Sequence, residues 1–128
     1  MNLVTVNGVQ IEIEDDRTAL HVREALIDLL IDGRRFAVTG KGSLPDGSMR
    51  LTTTVAGPGC DLVFYLNEEA AEIELNSDWS YAMIAWAEQS GRFEVWSEDD
   101  TERVMDGVVR LQAIEEDLKA SDTTGSTA

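Results

Sequence analysis

Apolar and polar positions follow a short period at the start of this chain and a longer one soon after. Leu3 to Val6 and Val9 to Ile13 are β-rich runs joined by Asn7-Gly8, a pair suited to a two-residue type I′ turn because both residues tolerate positive φ. A hairpin is predicted there. Ala19, Val22, Leu26, Leu29 and Leu30 then recur at helical spacing, with Asp15 and Asp16 ahead of them and Gly33 behind. The spacing predicts a first helix near residues 16–32, whose polar stripe holds Arg17, His21, Glu24, Asp28 and Asp32.

Three strands are expected next, at Arg35–Thr39, Met49–Ala56 and Asp61–Leu66, joined by the turn sequences Leu44-Pro45-Asp46-Gly47 and Gly57-Pro58-Gly59. An antiparallel meander is the simplest arrangement of them. Ile73 and Leu75 alternate with Glu72 and Glu74, so Ala71–Leu75 reads as a further, half-solvated strand. Residues 79–90 fit helical spacing through Trp79, Ala82, Met83, Trp86 and Ala87, but Tyr81–Ala87 and Phe93–Trp96 also read as a hairpin. The abundance of Ala, Met, Glu and Gln favours the helix. Ser97 is a suitable N-cap for a last helix ending near Lys119, with Val104, Val108, Leu111, Ile114 and Leu118 as its apolar stripe. The expected fold is α+β: a mostly antiparallel sheet, made of the N-terminal hairpin plus a meander, packed against two amphipathic helices, with residues 79–90 as a third, short helix. Residues 1–119 form a single domain, and the Ser/Thr/Gly-rich residues 120–128 form a disordered tail.

Composition narrows the class of protein. A chain of 128 residues has room for one domain, and 43% hydrophobic content is enough to fill a core. Cys60 is the single cysteine, so no internal disulfide is expected and a reducing cytoplasm suits the chain. The N-terminus lacks the basic and apolar regions of a secretory signal, and the longest uncharged apolar run, Tyr81–Ala87, is far too short to span a bilayer. The net charge of −15 argues against nucleic acid or an anionic membrane as a direct ligand and favours a basic protein partner. That charge is concentrated. Residues 61–102 hold 12 acids and only Arg92 as a base, whereas the segments on either side are close to neutral.

Catalytic machinery is not evident in the linear sequence. His21, the one histidine, is expected as an exposed residue of the polar stripe, with Glu24 and Asp28 as incidental neighbours. Cys60 has no adjacent base to lower its pKa and reads as an incidental thiol. Glu98 to Glu102 lacks the ligand spacing of a calcium loop and falls where a helix N-terminus welcomes negative charge. Lys41-Gly42-Ser43 reads as a hairpin turn, since it lacks the long spacer of a phosphate-binding loop. No catalytic set, cofactor site or metal site is expected.

Acid and aromatic residues do coincide. Phe64, Tyr65, Trp79, Tyr81, Trp86, Phe93 and Trp96 all fall within the acidic third of the chain. The expected partner-binding face is Glu68, Glu69, Glu72, Glu74, Asp78, Trp79, Tyr81 and Trp96, since aromatic anchors ringed by carboxylates suit a cationic protein. These features predict an intracellular domain that neutralises a basic protein, most concretely an antitoxin or immunity-type inhibitor. The alternatives are a nucleic-acid mimic, an acidic chaperone, a salt-adapted globular domain, or an enzyme built on carboxylates.

Overall fold

The computed structural model describes residues 1–126. Strands β1 (Asn2–Val6) and β2 (Val9–Ile13) form the expected hairpin, with Val6 opposite Val9 and with Asn7 and Gly8 both at positive φ, 51° and 80°. Helix α1 (Asp16–Ile31) follows at once, because the Asp15 carboxylate accepts the Thr18 N–H at 2.9 Å and satisfies a donor that the helix cannot. Then come β3 (Phe36–Ser43), β4 (Met49–Ala56), β5 (Leu62–Tyr65) and a 3-10 turn at Glu68–Glu72. Helix α2 (Ser77–Ser90), the two-residue strand β6 (Arg92–Phe93), a second 3-10 turn at Glu98–Asp100 and helix α3 (Thr101–Ser126) complete the described chain.

The α+β class is as expected, with three helices and two mostly antiparallel sheets of three strands among the described residues. One sheet has the order β2-β1-β5 and the other β4-β3-β6, with β6 parallel to β3. They touch where β2 lies across β3, and two glycines permit that approach. A Cβ at Gly40 would overlap the Ile11 side chain, and one at Gly42 would sit 2.9 Å from the backbone carbonyl oxygen of Gln10. The core between sheets and helices holds Val4, Val6, Ile11, Leu26, Leu29, Phe36, Trp79, Met83 and Phe93, all buried. Burying side chains of this size contributes about 1.5–3 kcal/mol each before the entropy of ordering them is subtracted.

The three helices run in the same direction. Asn76, which precedes α2, bonds to His21 near the start of α1, while Arg34 beyond the end of α1 reaches Glu88 near the end of α2 at 3.9 Å. Asp78 and Glu102, in the first turns of α2 and α3, line a common groove, and Gln89 near the end of α2 donates to Glu115 at 2.7 Å. All three helix N-termini therefore lie at one pole of the molecule.

Several local expectations are corrected. The expected meander does not extend to its third strand: β5 leaves β4 and pairs with β1, with Val4 opposite Phe64. Ala71–Leu75 pairs with no strand among the described residues. A clamp at the end of β5 turns the chain away, in which Asn67 N–H donates to Asn2 Oδ1 at 2.8 Å and Asn67 Nδ2 donates to Asp16 Oδ1 at 2.9 Å. Lys41-Gly42-Ser43 belongs to β3 rather than to a turn, and the reversal falls at Leu44–Ser48, where Asp46 Oδ1 accepts the Ser48 N–H. Residues 79–90 are helical, as their composition favours, and Gly91 ends the helix at φ 74°. Ser97 caps no backbone N–H; its hydroxyl donates to the Asp100 carboxylate at 3.0 Å, and a 3-10 turn intervenes before α3. Helix α3 continues past Lys119 to Ser126, and residues 127–128 of the expected tail lie outside the described residues. Val104 and Val108 are buried as its periodicity requires, but Ile114 and Leu118 are exposed because α3 outruns α2.

Candidate protein-binding face

The pole where the helices begin is held by one cation. Arg17, in the first turn of α1, donates through Nε to Glu98 Oε1 at 3.0 Å and through Nη2 to Glu98 Oε2 at 2.5 Å, a two-pronged pair across 81 residues. Its Nη1 also donates to the Glu74 carbonyl at 3.1 Å. The second oxygen of Glu98 accepts from Asn76 Nδ2 at 2.8 Å, while Asn76 Oδ1 accepts the Trp79 N–H and so caps α2. The Arg17 guanidinium, followed by the Asn76 amide, holds the Glu98 carboxyl far below its ordinary value, at about 2, and the same pair pushes Arg17 upward.

His21 sits beneath this pair, and its expected exposure is corrected: it is 0% exposed. Nδ1 lies 2.6 Å from the Arg17 carbonyl oxygen, which only accepts, so Nδ1 carries the proton; Nε2 accepts the Asn76 N–H at 2.8 Å. The imidazole stacks on the Trp79 indole with ring centres 4.4 Å apart. A residue of the polar stripe is buried here because the start of α2 docks over it. Its role is to join α1 to α2.

Trp79, whose exposure the sequence leaves open, is buried for the same reason. Only 2% exposed, it lies between His21 and the core, and its indole N–H donates to the Trp96 carbonyl at 2.9 Å. Trp96 is half-buried, edge-to-face with Trp86 at 5.7 Å and covered by the Arg103 guanidinium at 5.6 Å. Neither indole stands clear as an anchor.

The other six members of the expected face are exposed. Glu68, Glu69 and Glu72 lie on the 3-10 turn, Glu74 follows it, and Asp78 and Tyr81 lie on the first turns of α2. Tyr81 is 59% exposed. It opens on a groove of about 400 Å³ between α2 and α3, lined also by Asp78, Thr101, Glu102, Met105 and Asp106. Four of these, Thr101, Glu102, Met105 and Asp106, lie outside the face expected from the sequence. Their signal in the sequence was an acid in the first turn of each of two helices, which becomes a shared surface only when the helices run parallel.

Part of this acidity serves the fold, since carboxylates at helix N-termini offset the positive ends of the helix dipoles. More acids are present than that requires. Among the described residues, Glu68, Glu69, Glu72, Glu74, Asp78, Glu102 and Asp106 form no ion pair. The face thus presents unpaired carboxylates around an exposed phenol and a thioether, a surface that attracts cations at long range and offers Tyr81 and Met105 for close contact.

No helix among the described residues is long and apolar enough to cross a membrane. Compared with protein-family models, curated proteins and solved structures, the chain matches none.

Proposed function

We infer that this chain is a small acidic protein-binding domain that neutralises a basic protein partner in the cytoplasm, most concretely as an antitoxin or immunity-type inhibitor. The observation that carries the reading is the groove beside Tyr81, where Asp78, Glu102 and Asp106 stand without ion-pair partners next to an aromatic ring that the core does not use. Glu68, Glu69, Glu72 and Glu74 add further unpaired negative charge.

In this reading the carboxylates occupy the positions on the partner that phosphates or another anion would take, through charge-assisted hydrogen bonds to its lysines and arginines. Tyr81 supplies the packed centre of the contact. Long-range attraction raises the association rate by roughly 10 to 1,000-fold at low salt. The unevenness of the charge favours an interface over general salt adaptation, because strand β4 carries Arg50 and no acid at all.

Affinity capture of the tagged domain at low and at high salt, with mass spectrometry of the retained proteins, tests the proposal. A basic partner held at low salt and released at high salt is the expected result. Retention of nothing, or only of proteins indifferent to salt, contradicts it.

A further inference from the structure

Helix α3 carries a second surface, away from Tyr81. Its first half lies against α2, whose last turn is level with Glu115 through the Gln89–Glu115 bond, and its second half runs on past α2 to Ser126. At 1.5 Å per residue the projecting part, residues 116–126, is roughly 16 Å long. One face spans both halves. Gly107, Arg110, Ile114, Asp117 and Ser121 follow one another at steps of three and four, with Leu111 and Leu118 beside them, so all lie along one side of the helix.

The two halves of that face differ in shape and in charge. The first is hollow and basic. Gly107 leaves a dip, since a Cβ there would come within 3.2 Å of the Trp86 ring, and a cavity of about 290 Å³ opens beside it, lined by Trp86 and Trp96 together with Arg103 and Arg110. Asp106 is the one acid of that lining among the described residues. Arg103 is held by Asp100 and by the Trp96 ring, whereas Arg110 is exposed and forms no ion pair among the described residues. The second half is raised and acidic. Ile114 is 55% and Leu118 62% exposed, and Asp117 stands between them, exposed and likewise without an ion pair.

The geometry points to a second copy of this chain as the partner of that face, with the two α3 helices antiparallel about a two-fold axis near Ala113. That axis lays the raised half of each copy on the hollow half of the other. Leu118 then faces the cavity at Gly107, Leu111 faces Ile114 and Asp117 reaches Arg110, each contact occurring twice. The pattern itself selects a copy. Both halves belong to one continuous helix, so a chain cannot fill its own cavity, and an antiparallel copy satisfies the two halves together. Charge fixes the register as well. Sliding the axis toward Asp117 sets Asp117 against its own equivalent, and sliding it toward Arg110 sets Arg110 against its own. Parallel helices set hollow against hollow and leave Leu118 outside the cavity. The surface shares only Asp106 with the groove beside Tyr81, so the two contacts otherwise use different residues.

Sedimentation velocity of the full chain, from micromolar to millimolar concentration, tests this in about 0.15 M salt, which screens the repulsion between two chains of net charge −15. The wild type is expected to reach twice 14.1 kDa at the higher concentrations. Arg110→Glu and Asp117→Arg, each alone, set like charges at both contacts and should stay at 14.1 kDa. Their thermal midpoints should lie within a few degrees of wild type, because both side chains are exposed. Mixed in equal amounts, the two variants regain opposite charges at both contacts and should form a dimer that neither forms alone. A wild type that stays at 14.1 kDa, a dimer indifferent to either reversal, or a mixture that remains monomeric overturns the proposal.

Discussion

Arg17 grips both carboxylate oxygens of Glu98, and through that grip the first turn of α1 is tied to the segment that launches α3. Asn76 completes the junction by bonding both Glu98 and His21. Replacing Glu98 with Gln should lower the thermal midpoint by several degrees, as should Arg17→Ala. The double variant should cost little more than either alone, because the two residues act as one unit. Differential scanning calorimetry of the three variants checks this, and additive losses would separate the pair.

The same junction governs acid sensitivity. The folded-state pKa of Glu98 is about 2 against an ordinary 4.5, and Asp16 and Asp46 are also lowered, by the amides of Asn2 and Asn67 and by Ser48 respectively. Because these groups bind protons more weakly when folded, their contribution is complete above pH 4.5 and is lost as the pH falls from there toward 2. Urea midpoints measured across that range should decline steadily in the wild type and decline less in Arg17→Ala, whose Glu98 has lost its main partner. Equal declines would show that the Arg17 pair does not set the dependence.

His21 and Trp79 should behave as core residues and Tyr81 as a surface residue. His21→Ala strands the Asn76 N–H and opens space beside Trp79, a loss of about 3 kcal/mol. Trp79→Ala should cost about 3–5 kcal/mol, and Tyr81→Ala no more than about 0.5 kcal/mol. Chemical denaturation reads all three, and a large loss for Tyr81→Ala would mean that its ring supports the fold.

At the crossing of the sheets, Gly40→Ala and Gly42→Ala should each cost about 1–3 kcal/mol by overpacking. The obstacles differ. At Gly40 it is the Ile11 side chain, so Gly40→Ala should be less costly when combined with Ile11→Ala; at Gly42 it is the Gln10 backbone, so no side-chain truncation should relieve it. Denaturant midpoints of the single and double variants decide between these outcomes.

Elements that depend on neighbouring residues were legible in the sequence. The β1–β2 hairpin follows from the demand of Asn7-Gly8 for positive φ, and α1 and the presence of α3, though not its start, follow from apolar spacing next to acidic residues. Choices settled by distant contacts were not. β5 had two available neighbours, β1 and β4, and its place is held at one end by the Asn2–Asn67–Asp16 clamp and at the other by two bonds between Asn7 and Asp61, contacts between residues far apart in sequence. His21 shares the period of Arg17, Glu24 and Asp28 but passes beneath the start of α2, where polar spacing says nothing of burial. Within the candidate face the carboxylates and Tyr81 are exposed and the two indoles are not, a difference that the sequence leaves open. Trp79 and Tyr81 are two positions apart on one helix and face opposite ways, and which of them faces the core depends on how α2 docks.

The most direct test of the proposed function is the affinity of the captured partner for the wild type and for the Glu72→Lys, Glu74→Lys double variant, measured by isothermal titration at several salt concentrations. Both side chains are exposed and form no ion pair among the described residues, although Glu74 is among the charges that push Arg17 upward, so the variant should fold with a small loss of stability. Weaker binding with a flatter dependence on salt is the predicted result. Unchanged affinity and an unchanged salt slope would contradict the assignment of this face to a basic partner.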